Sequence, residues 1–142
     1  MKKLFLSLTF LAFALSAQAQ KVNAADVPEA VKKEFKKDYP KDQDVDWKKK
    51  GTDYVAEFEA ANVRHCARYS PTGTFLYIAV KIANADLPKG VHEYTAKHFP
   101  NHKITDAKKV TKANKEVSYS LEINEKELYF TDKGAFISEV KE

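Results

Sequence analysis

The residues best equipped for chemistry are four histidines, His65, His92, His98 and His102, and the single cysteine, Cys66. Imidazole is the commonest metal ligand among side chains. His98 and His102 have the i, i+4 spacing that would set two rings on one helical face, but Pro100 lies between them and ends a helix before the second ring. His65 and Cys66 are neighbours in a stretch that reads as strand, where adjacent side chains point to opposite faces. No carboxylate or second thiol completes a ligand set at a familiar spacing, so no metal is expected. Nucleophilic catalysis needs a hydroxyl or thiol beside a positioned base, and the chain has no Gly-x-Ser-x-Gly elbow or comparable signature. Four scattered glycines make no phosphate-cradling loop. The expectation is a chain without catalytic residues and without a cofactor, in which Cys66 is a small buried hydrophobe.

What remains is surface. In the alternating stretches, Arg64, Cys66 and Arg68 share one parity, and Glu127 and Tyr129 share another, each set opposite the expected core. Tyrosine and arginine on a flat sheet combine contact area with polar tips and are enriched at protein interfaces. Tyr77 and Trp47 complete the candidates. Trp47 matches Ala107 at a shift of sixty residues, so it either fills a gap in one core or stands exposed as an anchor. The partner-binding candidates are thus Trp47, Arg64, Arg68, Tyr77 and Tyr129. Glu57 or Glu59 is expected to meet Arg68 or Arg64 across a hairpin as a surface ion pair.

The elements that must carry these residues come in two sets. At a shift of sixty, Val27-Pro28-Glu29-Ala30-Val31 matches Leu87-Pro88-Lys89-Gly90-Val91, and Asp38-Tyr39-Pro40 matches His98-Phe99-Pro100. At a shift of sixty-one, Tyr69 to Leu76 matches Phe130 to Ile137, with Gly73 and Gly134 at the turn. Val27, Val31, Phe35 and Tyr39 form a helical apolar stripe that Pro40 stops, with Lys32, Lys33, Lys36 and Lys37 on the solvated side. Asp26 with Glu29 resembles a capping box, and Pro28 fits a first helical turn. The second helix, from about Pro88 to Phe99, is weaker because Gly90 lowers helix propensity.

After each helix the apolar period falls to two. Val117, Tyr119, Leu121 and Ile123 form a strand, Asn124-Glu125 a tight turn, and Leu128 and Phe130 return opposite Leu121 and Tyr119. Tyr54, Ala56, Phe58 and Ala60 lead through a slightly longer loop to Ala67 and Tyr69. The glycine turns launch a third strand, and a further strand precedes each hairpin near Val45 to Lys48 and Ala107 to Thr111. The fold class is therefore α+β: two tandem α-β-β-β-β repeats, at about 26–82 and 86–142, whose antiparallel strands carry the helices on one face. The short link from Ile82 to Asp86 is not a flexible tether, so 20–142 is read as one domain.

Lys2 and Lys3, the apolar run Leu4 to Leu15 and Ala17-Gln18-Ala19 have the order of a secretory leader over 1–19. Its apolar run is shorter than the roughly 20 residues that span a bilayer, so no membrane span is expected after cleavage. Removing it leaves 22 basic against 20 acidic residues, a weak balance that speaks against nucleic acid as a partner. The mature protein is expected in the periplasm or the medium.

The Val/Leu-Pro-x-x-Val helix opening, the Tyr/Phe-Pro helix end and the Tyr/Phe-x-x-x-Gly-x-Phe hairpin resemble the PepSY-like family, also described as β-lactamase-inhibitor-protein-like, over nearly all of Asp26 to Glu142. The resemblance implies an exported protein whose helix-backed sheet presents a broad open face. The expected function is a non-catalytic module that recognises an envelope protein through that face, inhibition being one form of such binding. The alternative is a periplasmic protein that takes a small molecule or peptide between sheet and helices.

Overall fold

In the computed structural model residues 19–41 and 44–141 are described, and the expected leader lies outside them except for Ala19. Pro28 has no N–H to offer a helix, and its carbonyl accepts from Val31 and Lys32 at 3.0 and 3.2 Å, opening α1 (Glu29–Asp38). A 3-10 turn over Ala24–Asp26 precedes it. Val27 is extended (φ −83°, ψ 131°) and carries Asp26 away from the helix start, so the expected capping box does not form. Glu29 pairs instead with Lys32.

Four strands follow, β2 (Asp46–Lys50), β3 (Asp53–Ala60), β4 (Val63–Tyr69) and β5 (Phe75–Lys81), after a two-residue β1 (Gln20–Lys21). The order then recurs: a 3-10 turn at Asn84–Asp86, α2 (Lys89–His98), and β6 (Ile104–Lys112), β7 (Val117–Ile123), β8 (Lys126–Thr131) and β9 (Phe136–Lys141). All nine strands join in sequence order as one antiparallel sheet. The β7–β8 turn is Asn124-Glu125, with φ of 50° and 58°. The β3–β4 turn is not longer, as expected from sequence, but equally tight: Ala60 faces Val63, and Ala61 and Asn62 take φ of 52° and 62°.

Register assigns the faces. Trp47, Ala56, Phe58, Ala67 and Tyr69 pack with Val31 and Phe35 of α1, while Ala107, Leu121, Ile123, Leu128 and Phe130 pack with Leu87 and Val91. The cross-sheet row Ala67, Ile78, Thr111 puts both sets on the same side, because Thr111 and Ala107 share parity on β6. Both helices cover that side, and the opposite face is left open.

The two cores are filled by opposite choices. Where the first has Phe35 and Trp47 over Ala56 and Ala67, the second has Thr95 and Ala107 with Leu121 and Leu128. A large helix and first-strand contribution goes with small residues in the hairpin, and the reverse holds in the second core, as close packing requires. The buried Thr95 hydroxyl donates to the His92 carbonyl at 3.2 Å, which satisfies it within its own helix. Gly90, expected to weaken α2, has a positive reason to be there. A Cβ on it would lie 2.8 Å from the carbonyl oxygen of Gly134, in the hairpin turn that closes over the start of the helix. Gly73, at φ +89°, likewise lies against the Ala30 carbonyl.

Candidate functional site

The open face is built from the strand residues that point away from the helices. Its first-half centre is Arg68, on β4 between Val55 and Tyr77 in the neighbouring strands. The Arg68 Nε and Nη2 both donate to Oδ2 of Asp53, at 2.9 and 2.8 Å, and the guanidinium carbon lies 6.0 Å from the centre of the Tyr77 ring. Asp53 is the diagonal neighbour of Arg68 across the β3–β4 pair, within reach of a long side chain. Val55 belongs to this polar face yet is only 4% exposed, lying between Lys48 and Arg68 in register. Long basic side chains cover apolar surface with their stems in this way.

Beside it, Glu57 receives Lys48 Nζ at 2.9 Å and Arg64 Nη2 at 2.7 Å. One carboxylate thus holds two cations from the strands on either side. Across the middle of the sheet, Asp106 lies 3.2 Å from Lys108 and 3.8 Å from Lys81. Between these clusters is a cleft of about 220 Å³ lined by Glu57, Arg64, Cys66, Lys81, Asp106 and Lys108, among others. Burial, then the neighbouring Glu57 carboxylate, pushes the Cys66 thiol above its ordinary range, which disfavours the reactive thiolate.

Four of the five sequence candidates, Arg64, Arg68, Tyr77 and Tyr129, are on the open face. Trp47 is not. It points under α1, 6% exposed, with its ring edge-on to Phe35 at 5.6 Å, because it shares parity with the core positions of β2. It is a core residue and drops out of the candidate surface. The other four do not form one patch. Arg68 and Tyr77 are in contact, whereas Tyr129 is four strands from Arg68, about 20 Å away at the spacing of strands. Tyr129 is half-buried between Ser120 and Ser138. Of the expected ion pairs Glu57 with Arg64 forms, while Arg68 takes Asp53 rather than Glu57 or Glu59. The tight β3–β4 turn is what brings Asp53 diagonal to Arg68.

Among the described residues, no group of three or more His, Cys, Asp or Glu side chains could hold a metal ion. His65 stacks on Phe58 at 5.3 Å, and His98 on Tyr94 at 4.2 Å. Core side chains pack between each helix and the sheet, and beside α1 a cleft of about 280 Å³ remains, lined by Lys32, Phe35, Lys36, Tyr39, Val45 and Trp47 among others. No described helix is long and apolar enough to cross a membrane.

Two segments of the chain, 14–77 and 66–138, match the family model described as "Putative beta-lactamase-inhibitor-like, PepSY-like". Among solved structures, a "putative periplasmic" protein from Bacteroides eggerthii is similar at 17% identity and a TM-score of 0.71, over 80% of this chain and 88% of that one. A DUF2874 family protein from Bacteroides uniformis has the same identity and coverage with a TM-score of 0.69. A BLIP-like protein from Bacteroides fragilis shares 22% identity over 80% of this chain and 85% of its own, with a TM-score of 0.58. These likenesses establish the fold. No curated protein matches the chain.

Proposed function

Since the chain belongs to the PepSY-like family, we propose that it is an exported, non-catalytic binding module, built as a tandem duplication, that recognises another envelope protein through the open face of its sheet. The observation that carries this reading is the Arg68–Tyr77 pair, fixed by Asp53 on a face that neither helix covers. An arginine already held in one rotamer loses little freedom when a partner arrives, which is the usual character of an interface anchor. The cations around it alternate with Asp53, Glu57 and Asp106, so the face suits a partner of mixed charge rather than a polyanion. Export follows from the leader, and agrees with the periplasmic description of the Bacteroides eggerthii protein. The family's description makes inhibition of an exported enzyme the sharpest form of the proposal.

The test is capture of envelope proteins on the immobilised mature chain, with R68A/Y77A and Y129A run in parallel and the retained proteins identified by mass spectrometry. A protein held by the parent and lost with R68A/Y77A identifies the partner and places it on the first-half patch. If it is an enzyme, its activity with and without the module decides inhibition. Equal retention by all three versions sinks the open-face reading.

A further inference from the structure

The two edges of the sheet are treated differently. At one edge, β1 covers β2: Gln20 and Lys21 face Lys49 and Lys48, and the Val22 N–H donates to the Trp47 carbonyl. The same arrangement recurs inside the sheet, where Val80 and Lys81 face Lys109 and Lys108, and the Ile82 N–H donates to the Ala107 carbonyl. At the other edge β9, which matches β5, has no described strand beyond it. All six of its residues are exposed, Ile137 at 55% and Val140 at 51%. A bare edge of this length and apolarity is a template for pairing with another strand.

We propose that β9 pairs with β9 of a second copy of this chain, in an antiparallel, two-fold symmetric dimer centred on Val140. Three observations select this occupant and this register. First, among the described residues the other edge strand, β1, is two residues long against six in β9, so the longer edge a second copy can offer is its own β9. Second, on β5 the main-chain groups of Leu76 and Ile82 turn towards β6. The matching outward positions of β9 are Ile137, Glu139 and Lys141, and a bulge at Ile137 interrupts the ladder there. Pairing is thereby confined to the stretch around Glu139 and Lys141.

Third, the charges are complementary to such a partner. Lys126 directly faces Lys141, an unfavourable like-charge pair, and Glu139, 3.2 Å from Lys126, is the carboxylate between strands there. Centring the two-fold axis on Val140 sets each Glu139 opposite the partner's Lys141 and joins the two valines face to face. Moving the centre to Glu139 would oppose the two carboxylates. The interface is short and belongs to the weak, concentration-dependent class.

Sedimentation of the mature chain from about 10 µM to about 1 mM tests the proposal, with variants checked for unchanged circular dichroism. The parent is expected to dimerise, E139K to weaken the dimer at least tenfold, and E139K/K141E, which restores opposite charges across the axis, to recover it. A parent that stays monomeric throughout the range overturns the proposal. So does a dimer that E139K leaves unchanged, or one that the charge swap fails to restore.

Discussion

Tyr69 is completely buried, and among the described residues its hydroxyl has no hydrogen-bond partner. At the matching position of the second core stands Phe130, also completely buried, with the same ring and no hydroxyl. An unpaired buried donor carries a desolvation cost of about 1–3 kcal/mol. Y69F removes that cost and keeps the ring contacts with Phe75 at 5.8 Å and Phe35 at 6.5 Å. The expected gain is at least about 1 kcal/mol, equivalent to roughly 4 °C in melting temperature for a domain of this size. The mirror change, F130Y, should cost about 1–3 kcal/mol by the same argument.

The pH dependence supplies a second reading of the same group. Burial, then Asp38, Tyr39 and Glu34, pushes the Tyr69 phenol above its ordinary range. Stability from a raised pKa is present below the unfolded value and declines as pH rises past it, so it falls above about pH 10 in the parent. Y69F should flatten that alkaline decline. Urea unfolding at neutral pH and at successive alkaline values measures both effects. A loss of 1 kcal/mol or more in Y69F at neutral pH would show that the hydroxyl is hydrogen-bonded after all and refute the argument.

G73A is expected to cost about 3 kcal/mol, since its Cβ would meet the Ala30 carbonyl oxygen at 2.7 Å in a backbone at φ +89°. G51A, at φ +61° with open space around it, should cost only about 1 kcal/mol, and equal losses in urea unfolding would contradict the packing account. W47A should cost about 3–5 kcal/mol in urea unfolding followed by circular dichroism, Trp47 being the one tryptophan whose fluorescence could otherwise report it. Adding A56L, which copies the second core's Ala107 with Leu121, should return about 1–2 kcal/mol of that loss, and strict additivity of the two changes would refute the volume exchange.

The period-two stretches and the glycine turns made most of the strands legible, because Tyr119 and Leu121 could only meet Phe130 and Leu128 across a two-residue turn. The tightness of the first hairpin is hidden in the sequence because its turn uses Ala61, a residue that rarely takes a positive φ. Once that turn is tight, Asp53 becomes the diagonal neighbour of Arg68, a relation invisible without the register. Phe75-Leu76-Tyr77-Ile78 was apolar on both parities, and the bulge at Leu76 resolves it by restoring Tyr77 to the open face. The match of Trp47 with Ala107 does not decide between core and surface. Only the alanines opposite it in β3 and β4 reveal the room it fills.

The opposite filling of the two cores also bears on how a chain with two similar halves sorts itself while folding. Chains of this kind are prone to pair one half's elements with the other's. Here α1 laid on the second set of strands would press Phe35 onto Leu121 and Leu128, and α2 laid on the first would put Thr95 where Phe35 meets Trp47, Phe58 and Tyr69 and leave a void. Overfilling costs about 1–3 kcal/mol and underfilling a comparable amount. The unequal cores therefore work as lock and key, giving each helix one seat that fits and one that does not.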